Sequence, residues 1–409
     1  MNTSPPIPAG TKLALLQRHS HSDEAVRPLD ELVPGLLLEY RDKIGDVFAA
    51  ADEGMHAAIP VEVGDVGLVW PHMEKLLRGG YQIVLTIDHS VDNRLGTKPG
   101  VEPDQVTEIY SYPPALRQCS LFVAASGAKV IDTVHNTAHA AEIVGALPDG
   151  SRAAAISTRS ALKANGLTVS ETSVNNRDPA DNITQFMVVR KAEGTIEPDP
   201  NCEYHAAVMT VRDYPGALRD LTAIFDHAGI DLISVHSDKE RGGNTRNFFI
   251  EMRRQESPEK FAVALRKLDA QYGVIEQMQW LGSWDTVIGK NGNGGNVEEP
   301  GTHAPLVEGT LSETHRYQEL TLIPYNVRGV LHDLLTVISG SGVDLKSFES
   351  INLGHKRYAF KMILDLQSTS RYQLQTLVAD LANADRYLSS LTYGTSFDNE
   401  PTDLYDTHT

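Results

Sequence analysis

Along residues 1–195, short apolar runs (KLALLQ, AAIPVEV, QIVLTI, LFVAAS, AAAIS, FMVVR) alternate with segments whose apolar residues recur at helical spacing, such as PHMEKLLRGG and TAHAAEIVGAL. Apolar runs of strand length separated by helix-period segments predict alternating strands and helices, the pattern of an α/β domain. The alternation stops at GTIEPDPNCEY (194–204), and a Gly/Asn-rich stretch, GKNGNGGNVEEPGTHAP (289–305), interrupts the remainder; both compositions favour linker over packed structure.

The remainder contains a repeat. YHAAVMTVRDYPGALRDLTAIFDHAGIDLISVHS and YQELTLIPYNVRGVLHDLLTVISGSGVDLKSFES align over more than 30 residues, with Gly216 on Gly329, Gly229 on Gly342, Asp231 on Asp344 and Leu232 on Leu345. In each, an alternating strand leads to a Gly turn, a helix, a second Gly and another strand. NFFIEM and RYAFKMILDL then supply a third strand, and a helix-period segment follows. The order β-α-β-β-α-β predicts a ferredoxin-like α+β sandwich.

On DYPGAL (213–218) with AGIDL (228–232), and RGVL (328–331) with SGVDL (341–345), the repeat resembles the ACT domain, a regulatory module of amino-acid metabolism. Gly216 and Gly329 let the backbone turn at a helix start and leave N–H groups free for a carboxylate. The resemblance makes Gly216, Ala217 and Leu218, with Gly329, Val330 and Leu331, the regulatory positions. The ESRP string this family often carries is HSDK (236–239) in the first unit. The second keeps Glu349 and Ser350 but has Val327 and Arg328 before its Gly. The expected effector is an aromatic amino acid, bound between units paired within one chain or across a homodimer or higher homo-oligomer; a purely structural dimerisation module is the alternative.

A second resemblance lies in the first block. SYPPALRQC (111–119), NTAHAAEIV (136–144), AAISTRSALKANGL (154–167) and DNITQFMVV (181–189) follow the motif order of prephenate dehydratases. The resemblance implies an α/β catalytic domain of two subdomains, like a periplasmic binding protein, with two ferredoxin-like ACT domains after it. The expected boundaries are 1–195 for the catalytic domain, 203–285 and 312–400 for the ACT-like domains, and 286–311 for a linker. The implied reaction is a decarboxylative elimination in which CO2 and the ring hydroxyl leave a prephenate-like dianion, with no metal or organic cofactor.

Carried over position by position, the family's catalytic threonine falls on Thr184, its neighbouring arginine on Gln185, and its phenylalanine on Phe186; Asn182 is retained as a polar orienter. Exchange of Arg for Gln removes a bidentate carboxylate contact. Glu62 is kept within AAIPVEVG (57–64), whereas Val63 and Gly64 stand where Asn and Ser are expected. Thr137 matches a threonine and Asn136 replaces a serine; Ser111, Tyr112 and Ser157 complete the motif residues expected at the substrate. The family's early Gly-rich loop aligns with LQRHSHS (16–22), bringing His19, Ser20 and His21 forward as substrate contacts. Arg18, Arg94 and Arg117 are candidates for the missing cation.

The charge sharpens this picture. With 36 Lys+Arg against 54 Asp+Glu the chain carries −18, which opposes binding to phosphate backbones or anionic lipid and obliges a pocket for an acid to build its own positive potential. Two cysteines, Cys119 and Cys202, allow no disulfide framework and fit a cytoplasmic protein; no apolar run of about 18 residues predicts a membrane span. HxH at 19–21 has no partner cluster at ligand spacing, so no metal site is expected. GNGG (292–295) lacks the Lys-Ser/Thr of a phosphate loop. Cys119 reads as a core thiol, and Trp70, Trp280 and Trp284 as core or interface anchors. Three functions stay open: dehydration of prephenate or a close cyclohexadienyl relative, decarboxylation without aromatisation, and a non-catalytic amino-acid sensor.

Overall fold

A computed structural model describes residues 6–64, 67–132, 134–237, 244–269, 273–289, 306–309, 311–312, 314–325, 329–353, 358–383 and 388–398. The chain divides into two compact units, one built mainly from residues 1–193 and the other mainly from 194–285, 294–352 and 356–409.

The first unit has two lobes. One lobe is a sheet in the order Leu37–Arg41, Lys12–Leu16, His56–Val63, Ile183–Lys191, Tyr81–Ser90, parallel except for Ile183–Lys191. Leu13, Leu15, Ala58, Leu85, Phe186 and Val188 pack under it as one apolar cluster. The other lobe is a five-stranded sheet in the order Thr168–Val169, Arg94–Thr97, Ala153–Ser157, Glu108–Tyr110, Lys129–Ile131. The near-continuous apolar character of AAAIS follows from its central place there, where both faces are covered. The chain passes between the lobes twice, through residues 91–93 and again through 170–182. The fold is thus the expected two-lobed α/β arrangement.

Two expectations need correction. LFVAAS is a helix, Ser120–Ser126, ended by Gly127 in the left-handed region at φ 63. An apolar run of strand length cannot be told from a short helix by periodicity, and this one is Ala-rich and lies half-exposed. The stretch expected to be linker (286–311) has structured ends. Val287 and Ile288 pair with Thr86 and Ile87 of Tyr81–Ser90, and Leu306–Glu308 pairs with Ser390, Leu391 and Thr392. Apolar residues at each end of the stretch gain ladder partners; GNGG (292–295) lies outside the described residues.

The second unit contains both repeats. In the first, Tyr204–Arg212, Asp231–Ser237, Thr245–Arg253 and Ile275–Trp284 alternate with the helices Ala217–Ala228 and Pro258–Asp269 in β-α-β-β-α-β order. The second repeats this with Tyr317–Pro324, Val330–Gly340, Asp344–Asn352, Tyr358–Asp365, Arg371–Ala382 and Leu388–Phe397. In both, the sheet order is fourth, first, third, second strand, the ferredoxin-like arrangement. Their second strands meet antiparallel, with His236 opposite Glu349. Ser237 Oγ bonds both the N–H and C=O of Phe348, and Ser350 Oγ accepts from Val235 N–H at 3.3 Å. Because 235, 236 and 237 align with 348, 349 and 350, these contacts obey a pseudo-twofold axis through the His236/Glu349 pair. Apolar residues from both repeats, among them Phe225, Phe248, Leu334 and Phe348, form one core. No helix among the described residues is long and apolar enough to cross a membrane.

Candidate active-site cleft

The parallel strands of both lobes end where the lobes meet, the position at which open α/β sheets bind ligands because loops and helix N-termini converge there. Residues 17–21, Gly64, Ser90 and 182–184 come from the first lobe; Ser111, Tyr112, Asn136, Thr137, Ser157 and Thr158 come from the second.

Polar contacts cross this line. Thr158 Oγ1 donates to the carbonyl of His19 at 2.6 Å, Ser160 Oγ donates to Glu24 Oε1 at 2.6 Å, and Asn136 Nδ2 donates to Gln17 Oε1 at 3.0 Å. His19 is the only non-glycine with positive φ among the described residues, at 65°. That conformation costs roughly 1–2 kcal/mol and is held here from both sides, since its N–H also bonds Asp23 Oδ2 at 2.9 Å. Burial pushes the Asp23 carboxyl up, but hydrogen bonds from Arg27, the His19 amide and Tyr40 outweigh it and hold it below its usual range. The loop carrying His19, Ser20 and His21 therefore lies at the cleft. Ser20 caps the helix His21–Val26, and Asn136 caps Thr137–Ala146, so both side chains are partly engaged in holding helix starts.

Behind the loop is a buried amide network. Asn93 Nδ2 donates to Gln118 Oε1 (3.1 Å) and Asn175 Oδ1 (2.9 Å), and Gln118 Nε2 donates to Asn182 Oδ1 (3.2 Å) and Gly64 O (3.4 Å). A Cβ on Gly64 would stand 2.9 Å from Asn182 Oδ1, so the glycine found where the resemblance expected Ser makes room for this amide. Asn182 belongs to the network that joins the lobes. With Asn93 Nδ2 occupied, its Oδ1 accepts from His21 Nε2 at 3.0 Å, which fixes the tautomer and turns the His21 Nδ1 lone pair toward His89 Nε2 at 3.3 Å. Burial, reinforced by His21, pushes His89 down to about 3, and burial likewise lowers His21. Both rings are neutral near pH 7, so the 3.9 Å approach of Glu24 Oε2 to His89 Nε2 is no ion pair at that pH.

Thr184 sits in register with His89 on the adjacent strand, and Phe186 packs its ring 6.3 Å from the His89 ring. Side chains alternate along a strand, so Gln185 lies on the opposite face, between Glu62 and Asp88 in register. The structure does not bring Gln185 to Thr184, and its row of carboxylates is unsuited to an anion. Ser111 Oγ bonds Ile156 O at 2.8 Å within its own lobe, whereas Ser157 Oγ is buried without a partner among the described residues. Tyr112 lies at the surface edge beside Arg117, and burial of its hydroxyl raises its pKa despite that cation. Of the candidate cations, Arg94 is paired to Asp92 at 2.7 Å, and Arg18 stacks over Tyr40 at 5.4 Å. Cys119 is buried and pushed up to about 12 by burial, an inert thiol. Glu24, His89, Asn93 and Asn175 carry no sequence signal; Gln118 and Ser160 lie within the motifs SYPPALRQC and AAISTRSALKANGL but are not singled out by them.

In the second unit, Gly216, Ala217 and Leu218 line a pocket with Asp213, Arg246 and Asp344. Gly329 begins its helix at φ 79, and Val330 and Leu331 enter the core. Glu349 and Ser350 lie on the strand that joins the repeats. Val327 and Arg328, and the last two residues of HSDK, lie outside the described residues.

A two-lobed α/β unit with its polar groups gathered between the lobes defines a small-molecule-binding class. Residues 17–194 match the family model for prephenate dehydratase. Arogenate dehydratase 1 of Petunia hybrida is 28% identical over 186 residues, 45% of this chain and 43% of that protein. The chain spans under half the length of the first curated relatives it matches. Among solved structures, prephenate dehydratase of Arthrobacter aurescens in complex with L-Phe superposes with TM-score 0.54 at 21% identity, over 68% of this chain and 90% of that one. A structure described as GqqA, a novel type of quorum quenching acylase, superposes equally well, with TM-score 0.54 at 23% identity over 67% of this chain and 98% of that one. At these identities the likeness is one of fold.

Proposed function

We propose that the chain is a lyase of prephenate dehydratase type, acting on prephenate or on a close cyclohexadienyl acid such as arogenate. The observation that carries the reading is the family match over the two-lobed unit, with the motif threonine Thr184 at the edge where the lobes meet. In this reaction the bond from ring to carboxylate breaks, its electrons enter the ring, and the C4 hydroxyl leaves as water. Thr184 Oγ1 donates to the departing hydroxyl, and Ser157 Oγ, free of protein partners, is available to the substrate. The N–H groups opening Thr137–Ala146 favour its carboxylate. Glu62, Gln185 and Asn182 act from behind as positioning residues.

Incubation of the purified chain with prephenate and, separately, arogenate, followed by mass analysis, tests this. Phenylpyruvate or phenylalanine is expected, with kcat lowered at least about 100-fold in Thr184→Val; consumption of neither substrate overturns the reading. Decarboxylation with the ring hydroxyl retained, the alternative outcome, gives a product heavier by one water.

For the second unit we propose an amino-acid effector bound in the pocket of Asp213, Gly216, Arg246 and Asp344, whose opposite charges suit a zwitterion. Calorimetric titration with phenylalanine, tyrosine and tryptophan is expected to give saturable heat with at least one; none with any of the three refutes it.

A further inference from the structure

We propose that His21, Glu24 and His89 form a binding site for one divalent transition metal ion of the zinc class. The ligand atoms of the three side chains all lie within 4.8 Å of one another. His21 and Glu24 stand three residues apart on the helix His21–Val26, hence on one face, and His89 reaches them from near the end of Tyr81–Ser90.

The geometry fits a tetrahedral ion. Metal–nitrogen bonds of about 2.0–2.1 Å require an edge of about 3.3–3.4 Å between two ligand nitrogens. His21 Nδ1 and His89 Nε2 are 3.3 Å apart. Glu24 Oε2 is 3.9 Å from His89 Nε2, about 0.5 Å beyond that edge and within the swing of a side chain about one-third exposed.

Outer contacts prepare the donors. Asn93 Oδ1 holds the Nε2 proton of His21, leaving Nδ1 as a lone-pair donor, and Ser160 donates to the other oxygen of Glu24. Hydrogen-bonded carbonyl and hydroxyl groups in such positions orient metal ligands. Glu24 and His89 also line a pocket with Pro28, Ser90, Ala180 and Gly289, which gives an exogenous ligand or water access to a fourth position.

His19 takes no part, so HxH was not the signal; the ligands are contributed by residues 21, 24 and 89. If the lyase reading holds, the ion also supplies a positive charge beside Thr184 in a chain of net charge −18. That consequence rests on the proposed function; the site itself does not.

The test is titration of the full chain, first stripped with chelator, with Zn2+ by calorimetry and with Co2+ by visible absorption. One equivalent and a tetrahedral Co2+ spectrum are expected. His21→Ala and His89→Ala each lower affinity at least about 100-fold, and Asn93→Ala lowers it about 10–100-fold with the same stoichiometry. Far-UV circular dichroism of each variant separates loss of ligand from loss of fold, and Glu24→Gln, which keeps the side chain's shape, gives the third ligand's share. No bound equivalent, or binding unchanged in a folded His89→Ala chain, overturns the site. Metal bound with neither prephenate nor arogenate consumed removes the lyase reading and leaves the site standing; turnover without any bound metal does the reverse.

Discussion

The two units hold their centres together by opposite means. In the unit of paired repeats, one continuous apolar core runs from Phe225 to Tyr393, and the joined strands add serine-to-backbone bonds about a pseudo-twofold axis. In the two-lobed unit each lobe has its own apolar cluster, and the lobes meet through carboxamides, hydroxyls and imidazoles. The difference is one of tolerance. Apolar packing asks for volume and periodicity, which many side chains satisfy. A buried polar network asks that every donor find its acceptor, because an orphaned group retains its full desolvation cost. The first kind of centre makes a robust scaffold; the second makes a seam where chemistry can be placed.

Three measurements bear on that contrast. The largest effect is expected from Phe348→Ala, which empties a fully buried ring position in the shared core and destabilises the repeat unit by about 3–5 kcal/mol, read by denaturant unfolding. A loss below about 1 kcal/mol would mean that the core is not the main support.

Acid comes next. Burial holds His89 and His236 down to about 3 and His205 down to about 4, below the ordinary value of 6.5. Between those limits the unfolded chain binds protons that the folded chain refuses. Stability is therefore full above pH 6.5 and declines as pH falls, by about 1.4 kcal/mol per unit for each group. Lowering pH from 6.5 to 5 removes about 2 kcal/mol per histidine. His236→Gln flattens the slope of the repeat unit and His89→Gln that of the two-lobed unit; unchanged slopes would show that these rings are not neutral in the fold.

The smallest effect is expected from Gln118→Leu. It leaves Asn182 Oδ1 without the Gln118 donor and removes one acceptor from Asn93, at about 1–3 kcal/mol. Hydrogen exchange should show the loss concentrated at residues 91–93 and 174–182. A uniform change across the first unit would indicate that the lobes do not depend on this seam.

The same contrast explains what was legible beforehand. Both ferredoxin-like folds followed from a repeat whose glycines stand at fixed spacing, and Gly216 and Gly329 indeed open their helices with φ of 92° and 79°. The α/β order of the first unit was equally plain, apart from LFVAAS, whose length suits either element. Thr184 and the loop of His19, Ser20 and His21 were named from motif order. Gln185 was placed with Thr184 because neighbours in sequence are easily taken for neighbours in a site, whereas strand alternation sends them to opposite faces. Glu349 and Ser350, expected at an effector site between paired units, stand at the join between the repeats, a place that the pairing of second strands decides.

Periodicity, glycine spacing and motif order, all local properties of the chain, determined by themselves the class of each unit, the repeat and the residues from which a site would be chosen. Which donors meet which acceptors was decided by the tertiary structure alone. His21, His89 and Asn93 carry no shared pattern, and they come within hydrogen-bonding distance because the helix His21–Val26 packs on the strand Tyr81–Ser90, beside the chain crossing at 91–93. Short-range forces write their signature along the sequence; contacts made across long separations depend on the folded path.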